Sequence, residues 1–326
     1  MDHSNIYHEK LKGLLLDIND AYAPNTIRAY RADFSEWISF CTKKGACHLP
    51  ADPFIVSEFL LALADAENNR ASTIRRKCAS ISAIHRYGYF EDTTKHPEVK
   101  IAIRKINRKL GTRFKQARPI NRHLLDRMLH VCGDDLRGIR NRMILLFAYT
   151  TLRRRSELTS LRVEALTPCC DGQGVILLRQ SKTDRTREGV LLALDIETTF
   201  AVKNWISLAG ISEGYLFRGV ADNRLNLSMD SGQISRTFKS LEVKAKLDPE
   251  QISGHSTHIG AAQDMLSGGV SIGQIMAEVG WSKVDTVMRY VGFNSAEATQ
   301  NSIILQHRLK INVPATQSEC FCVRVS

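Results

Sequence analysis

The 326-residue chain contains no apolar run of the length that crosses a bilayer, for which ~20 consecutive apolar residues are needed. No membrane partner is therefore expected. Acid is also in short supply: 34 Asp and Glu stand against 45 Lys and Arg, for a net charge of +11. That imbalance calls for an anionic partner, and nucleic acid is the first expectation. Cysteines are present but lack metal spacing. Cys41, Cys47, Cys78, Cys132, Cys169, Cys170, Cys320 and Cys322 are scattered along the chain, which excludes a zinc module and leaves free thiols in a reducing cytoplasm as the expectation. The opening MDHSNIYHEKLKGLLLDIND lacks the basic n-region and the small-residue cleavage site of a secretory signal. There is no internal repeat and no low-complexity segment.

What is present is enough apolar material for proper cores, 43% of the residues. From Asn25 to Lys44 the residues Ile27, Tyr30, Phe34, Trp37 and Phe40 or Cys41 recur at helical spacing, with Asn25 as the expected N-cap and Gly45 as the stop. Asp52 and Pro53 open a second helix through Phe59, Leu60 and Leu63. A third runs from Ser72 to Tyr87, with Ile74, Cys78, Ile81 and Ile84 on one stripe and Arg75, Arg76, Lys77 and Arg86 opposite. The segment VKIAIRKINRKLGTRFKQARP after Glu98 starts as a helix, loses its period at Gly111 and carries Arg108 and Lys109 in a run without acids. Such a run is commonly a solvated helix face, but one that leads into a linker is well placed against a phosphate backbone. The expected division is a small helical domain over residues 1–110, a basic linker over 111–119 and a second domain over 120–326. In that second domain Asn121 to Val131 and Leu136 to Tyr149 read as helices, Arg162 to Leu166 as a strand, and Gly174 to Arg179 with Gly189 to Leu194 as the rest of a small antiparallel sheet. Helical patterns return at Thr198 to Leu208 and Ser231 to Ala245.

Four short stretches carry chemistry. In Thr151-Leu152-Arg153-Arg154-Arg155-Ser156-Glu157, Arg154 and Glu157 share one face of a helix start; alone, the pair is a common surface ion pair. Lys182 sits in the polar loop QSKTDRTREG between two apolar strands, where a lysine ordinarily serves solubility. His255 and His258 lie one turn apart in SGHSTHIGAAQDML, but no third ligand at suitable spacing supports a metal there. Trp281 and Tyr290 follow in GWSKVDTVMRY, and a tyrosine near a helix end is ordinarily core or surface filler.

In register over nearly the whole chain, these stretches resemble the tyrosine recombinases of the phage integrase family, most closely the Cre-like members. One departure stands inside the resemblance: where that family has His-x-x-Arg, this chain has His255-x-x-His258. The resemblance implies a mainly α fold, with a helical, SAM-like core-binding domain and an α+β catalytic domain with a small antiparallel sheet, closing on DNA as a C-shaped clamp. It implies Tyr290 as nucleophile, Arg154, His255, Trp281 and position 258 around the phosphate, Glu157 orienting a neighbour, and Lys182 as general acid. It implies no metal and no cofactor.

Duplex DNA with an inverted-repeat site is the implied partner, met by Arg28, Arg75, Arg76, Arg108 and Lys109. The tail SAEATQNSIILQHRL is the implied exchange helix of a homotetramer, and the expected place is the cytoplasmic nucleoid. Histidine in place of a permanent, forked cation points to weakened cleavage. A non-catalytic DNA-binding protein on the same scaffold and a type IB-like topoisomerase stay open as alternatives.

Overall fold

Half of the α-helices among the described residues begin where a short polar side chain takes up amides that the first turn leaves unpaired. Asp52 accepts from the Phe54 and Ile55 N–H groups, Asn121 from Leu124, Asp135 from Gly138, Asp195 from Thr198, and Ser271 from Gln274. The computed structural model describes residues 22, 24–66, 69–112, 117–179, 189–221, 224–247 and 252–291. These fall into two compact units, divided between Lys115 and Gln116.

The first unit is built of four α-helices among the described residues: α1 (Pro24–Lys44), α2 (Pro53–Asp65), α3 (Ala71–Tyr87) and α4 (Pro97–Leu110). Their apolar stripes meet in a core of Phe34, Trp37, Phe59, Ile74, Ile81, Ile84, Val99 and Ile106. Two buried polar side chains in it, Trp37 and His85, are matched. The Trp37 indole donates to the His48 carbonyl at 2.9 Å. The His85 Nε2 accepts the Ala51 N–H at 2.8 Å, so its Nδ1 donates to the Ile81 carbonyl at 2.8 Å and the ring is held neutral. Burial lowers its pKa in the same sense.

Two expectations need correcting here. The first helix already includes Pro24, so Asn25 lies inside it and accepts from Arg28 at 3.1 Å instead of capping it. Lys77, assigned by the periodicity to the basic face, is buried and paired with Glu36, because α3 packs on α1.

The second unit contains α5 (Arg122–His130), α6 (Leu136–Thr151), the short α7 (Arg155–Leu158), β1 (Leu166–Pro168), β2 (Gly174–Leu178), β3 (Val190–Leu194), α8 (Ile196–Leu208), β4 (Val220–Ala221), β5 (Arg224–Leu225), α9 (Ser231–Lys244), α10 (Ser256–Ser267), α11 (Ile272–Val279) and α12 (Val284–Val291). The three-stranded sheet is antiparallel in the order β1-β2-β3, with Ile176 of β2 opposite Leu166 and Leu192. Alternate residues of β2, Gly174, Ile176 and Leu178, are buried toward the helices. The core around them includes Met143, Phe147, Trp205, Phe217 and Phe238. The strand expected from Arg162 is shorter and later: Val163–Ala165 is a 3-10 turn and pairing starts at Leu166, Arg162 making only an isolated bridge to Tyr215. The β4–β5 hairpin was not expected, since strands of two residues carry no periodicity.

Among the described residues no helix is long and apolar enough to cross a membrane.

Candidate functional site

The long apolar helix α6 ends at Leu152, which adopts a left-handed conformation at φ 50° and ψ 33°. That conformation is unfavourable for a residue with a Cβ, and burial of the Leu152 side chain against Ala261, Ala262, Ile275 and Val279 holds it. The turn sends the next three arginines in different directions. Arg153 goes inward, where it is buried and donates to the carbonyls of Thr151 (2.8 Å) and Glu278. Arg154 stops at the mouth of α7, with its side chain 28% exposed. Arg155 crosses to α9 and donates to the Ser235 hydroxyl at 2.7 Å.

Glu157 fixes Arg154 in place. Its carboxylate accepts the Arg154 backbone N–H at 3.0 Å and the guanidinium at 3.2 Å. The Glu157 side chain is only 5% exposed, so the carboxylate is held inside while the cation faces out.

Opposite stands α10, positioned by two close approaches. The incoming chain lies against its first turn, with the Ile120 N–H donating to the Ser256 carbonyl at 2.8 Å. At Gly260 a Cβ would sit 1.9 Å from the Ile120 carbonyl oxygen, so only glycine allows the contact. Further along, Asp264 accepts the Arg122 N–H at 2.6 Å and the Tyr149 hydroxyl, tying α10 to α5 and α6. The Ser253–Ser256 turn shapes the entry to α10, the Ser256 hydroxyl accepting the Ser253 N–H at 2.9 Å and the Ser253 hydroxyl the His255 N–H at 3.1 Å.

The two histidines of α10 meet edge to face, ring centroids 5.4 Å apart, but their surroundings differ. His255 opens toward solvent; crowding by protein lowers its pKa, helped by Arg155 and then Arg154. His258 is 3% exposed. Burial drives its pKa down to about 3, with His255, Arg154 and Arg153 acting in the same direction. Neither of its ring nitrogens has a hydrogen-bond partner among the described residues. It is a neutral imidazole in the midst of positive groups, and it adds no charge to them.

Trp281 flanks the same small core, its backbone N–H donating to the Met276 carbonyl at 2.9 Å just past the end of α11. Tyr290 falls in the last turn of α12, a helix anchored by the buried Val287 and packed on α10 and α11. Its side chain lies outside the described residues, as do Lys182 and residues 292–326 with the expected exchange helix. Among the described residues no cluster of three or more His, Cys, Asp or Glu is placed to hold a metal.

In the first unit Arg28, Arg75, Arg76, Arg108 and Lys109 are all exposed. They are not equivalent. Arg76 is paired with the buried Asp33, and Lys109 with Asp65 at 2.5 Å. Arg75 and Arg108 have no acidic partner among the described residues.

Sequence reasoning missed Gly254, Gly260, Asp264, Ser235 and Tyr149. Asp264, the one acid in α10, was the signal that pointed to a tertiary partner.

Residues 119–297 match the model of the phage integrase family, and residues 14–91 match the phage integrase N-terminal SAM-like domain. The chain is 30% identical over 291 residues to recombinase cre of Escherichia phage P1, covering 83% of this chain and 84% of that protein. It is 27% identical over 282 residues to an integrase/recombinase xerD homolog of Selenomonas ruminantium, covering 82% of each. The fold is shared with XerH site-specific recombinase bound to palindromic difH substrate (TM-score 0.64, 15% identity, 86% of this chain and 80% of that one). It is shared also with a lambda integrase dimer bound to a COC' core site (TM-score 0.57, 14% identity, 85% of this chain and 95% of that one).

Proposed function

This chain belongs to the phage integrase family of tyrosine recombinases, DNA breaking and rejoining enzymes, and we propose that it exchanges strands at a specific duplex site through a 3′-phosphotyrosyl intermediate, with cleavage slowed by His258. The observation that carries the reading is the convergence of Arg154, His255 and His258 on one patch of the second unit, backed by Glu157.

In the proposed reaction the Tyr290 oxygen bonds to phosphorus, the bond to the 5′ oxygen breaks, and Lys182 protonates that leaving oxygen. Negative charge gathers on the two non-bridging oxygens. Arg154 faces it as a permanent cation, while the His255 ring and the Trp281 indole are each proposed to donate an N–H. Reversal by another 5′ hydroxyl restores the backbone without a nucleotide cofactor.

Position 258 is where the arrangement falls short. A buried imidazole with a pKa of about 3 carries no charge at neutral pH. Loss of one preorganised donor slows such reactions by about a hundredfold to a thousandfold.

The surface arginines Arg28, Arg75 and Arg108 are proposed to meet phosphates of an inverted-repeat site. Assembly as a homotetramer through the C-terminal segment completes the proposal. The structural relatives bound to recombination-site DNA support the duplex as partner.

The test uses a duplex recovered by binding selection from a random-sequence pool and then nicked, so that cleavage traps the covalent adduct. His258→Arg is expected to raise the rate of adduct formation at least tenfold, and Tyr290→Phe to abolish it. No increase with His258→Arg removes position 258 as the limiting group; adduct surviving Tyr290→Phe removes Tyr290 as nucleophile.

A further inference from the structure

With His258 uncharged, the patch around Arg154 lacks a second permanent cation among the residues of α10, yet the turn after Leu152 offers one. Arg153 is unsuitable because its guanidinium is turned into the protein and committed to the Thr151 and Glu278 carbonyls. Arg155 is placed differently. Its aliphatic stem lies directly over Gly254, so close that a Cβ there would fall 2.1 Å from Arg155 Cδ, 2.4 Å from Nε and 2.7 Å from Cγ. Gly254 immediately precedes His255. The arginine therefore runs across the backbone that presents the histidine, and the absence of a side chain at 254 makes room for it.

Its far end is held without being neutralised. Nη1 donates to the Ser235 hydroxyl at 2.7 Å, a neutral acceptor, and no carboxylate pairs with Arg155 among the described residues. The residue is half-buried. Among the charges acting on His255, that of Arg155 ranks ahead of Arg154, which agrees with its passage beside the ring. A guanidinium keeps its charge at any pH of interest and has donors to spare after one bond to a hydroxyl.

We infer that Arg155 is a catalytic residue, supplying to the scissile phosphate, from the α7 side, the second permanent positive charge that position 258 does not provide. The inference rests on the proposed phosphoryl-transfer reading of the same site. It gives a site with a neutral His258 a route to cleavage, since the charge arrives from a different element and direction.

The same selected, nicked duplex tests it, with adduct rate and DNA affinity measured side by side. Arg155→Gln is expected to lose about a hundredfold in adduct rate with affinity changed less than about threefold, and Arg155→Lys to lose less. In the His258→Arg background the loss from Arg155→Gln is expected to shrink to below about tenfold, because the two cations are then redundant. A methylphosphonate at the scissile position removes the charge to be neutralised, so on that substrate the parent and Arg155→Gln are expected to react alike. Ser235→Ala frees the guanidinium without altering its charge and is expected to give an intermediate rate, which keeps the test open if Arg155→Gln folds poorly.

Equal losses from Arg155→Gln in the parent and in the His258→Arg background, or a loss that persists on the methylphosphonate, assign Arg155 a structural role and overturn the inference. Parent-like adduct formation by Arg155→Gln overturns it while leaving the reading of the site intact. Absence of adduct from the parent on bound DNA overturns both.

Discussion

Glu157 holds Arg154 at two points, accepting its backbone N–H at 3.0 Å and its guanidinium at 3.2 Å from inside the protein. One carboxylate thus starts the helix α7 and aims the cation beside it. Glu157→Gln keeps an acceptor for the N–H but drops the charge, and the expected result is about a tenfold slower adduct formation at unchanged DNA affinity. Glu157→Ala leaves the amide without its partner and is expected to cost in addition about 1–3 kcal/mol of stability in urea unfolding. A parent-like rate for Glu157→Gln would mean that Arg154 is oriented by other contacts.

The neutral His258 has a consequence for stability that can be measured apart from any DNA. Its ordinary pKa is 6.5 and its value in the folded chain about 3, so between these the unfolded chain binds the extra proton and the folded chain does not. Stability linked to His258 is therefore complete above pH 6.5 and is lost as pH falls toward 3, by at most about 1.4 kcal/mol per pH unit. His85 and His255 shift in the same direction and add to the total. Comparing the parent with His258→Gln in urea at pH 7.5, 6.0 and 5.0 isolates the one residue, because the other two histidines are common to both. The parent is expected to lose more stability on acidification. Parallel curves would show that the ring is accessible to protons in the fold.

Two glycines of the same region make an internal comparison. Gly260→Ala sets a methyl 1.9 Å from the Ile120 carbonyl oxygen and 2.4 Å from the Asn121 nitrogen, both backbone atoms that cannot step aside. A loss of about 3 kcal/mol or more is expected, together with a displaced α10. Gly273 of α11 has nothing within 4 Å of its would-be Cβ. Gly273→Ala is expected to be neutral or to stabilise by about 0.5–1 kcal/mol, since alanine is the better helix former. Thermal unfolding of the two variants beside the parent reads both. Equal effects would mean that the approach of the chain to Gly260 is not tight in solution.

What the sequence made legible was what depends on near neighbours. Asp52 caps because a short acceptor before an apolar period suffices, and the motif stretches single out Arg154, Glu157, His255 and Trp281 without reference to the fold. The electrostatic state of His258 was not legible. Read from the chain it was a part-time cation, and only the packing around α10 makes it a neutral one. The divergence of the three arginines was hidden for a similar reason: it depends on the left-handed turn at Leu152, which distant residues of α10 and α11 stabilise. In the first unit the pairing of Arg76 and Lys77 with Asp33 and Glu36 crosses more than forty positions of sequence, beyond any periodicity on one helix.

Those pairings divide the surface arginines of the first unit into two kinds that solution experiments can tell apart. Arg75 and Arg108 point outward without an acidic partner among the described residues, so either one, if it meets a phosphate, releases counterions when DNA binds. Arg75→Ala and Arg108→Ala are each expected to lower the slope of log affinity against log salt by about 0.9, uniformly across binding sequences, with unfolding unchanged. Arg76 is paired with an Asp33 carboxylate that is only 3% exposed and that also accepts the Ser80 hydroxyl at 2.7 Å. Truncating Arg76 strands a buried charge, so Arg76→Ala is expected to destabilise the first unit by about 3 kcal/mol, with little change in the salt slope of the fraction still folded. A salt slope that drops for Arg76→Ala at parent stability would place Arg76 on the DNA and release Asp33 to other donors.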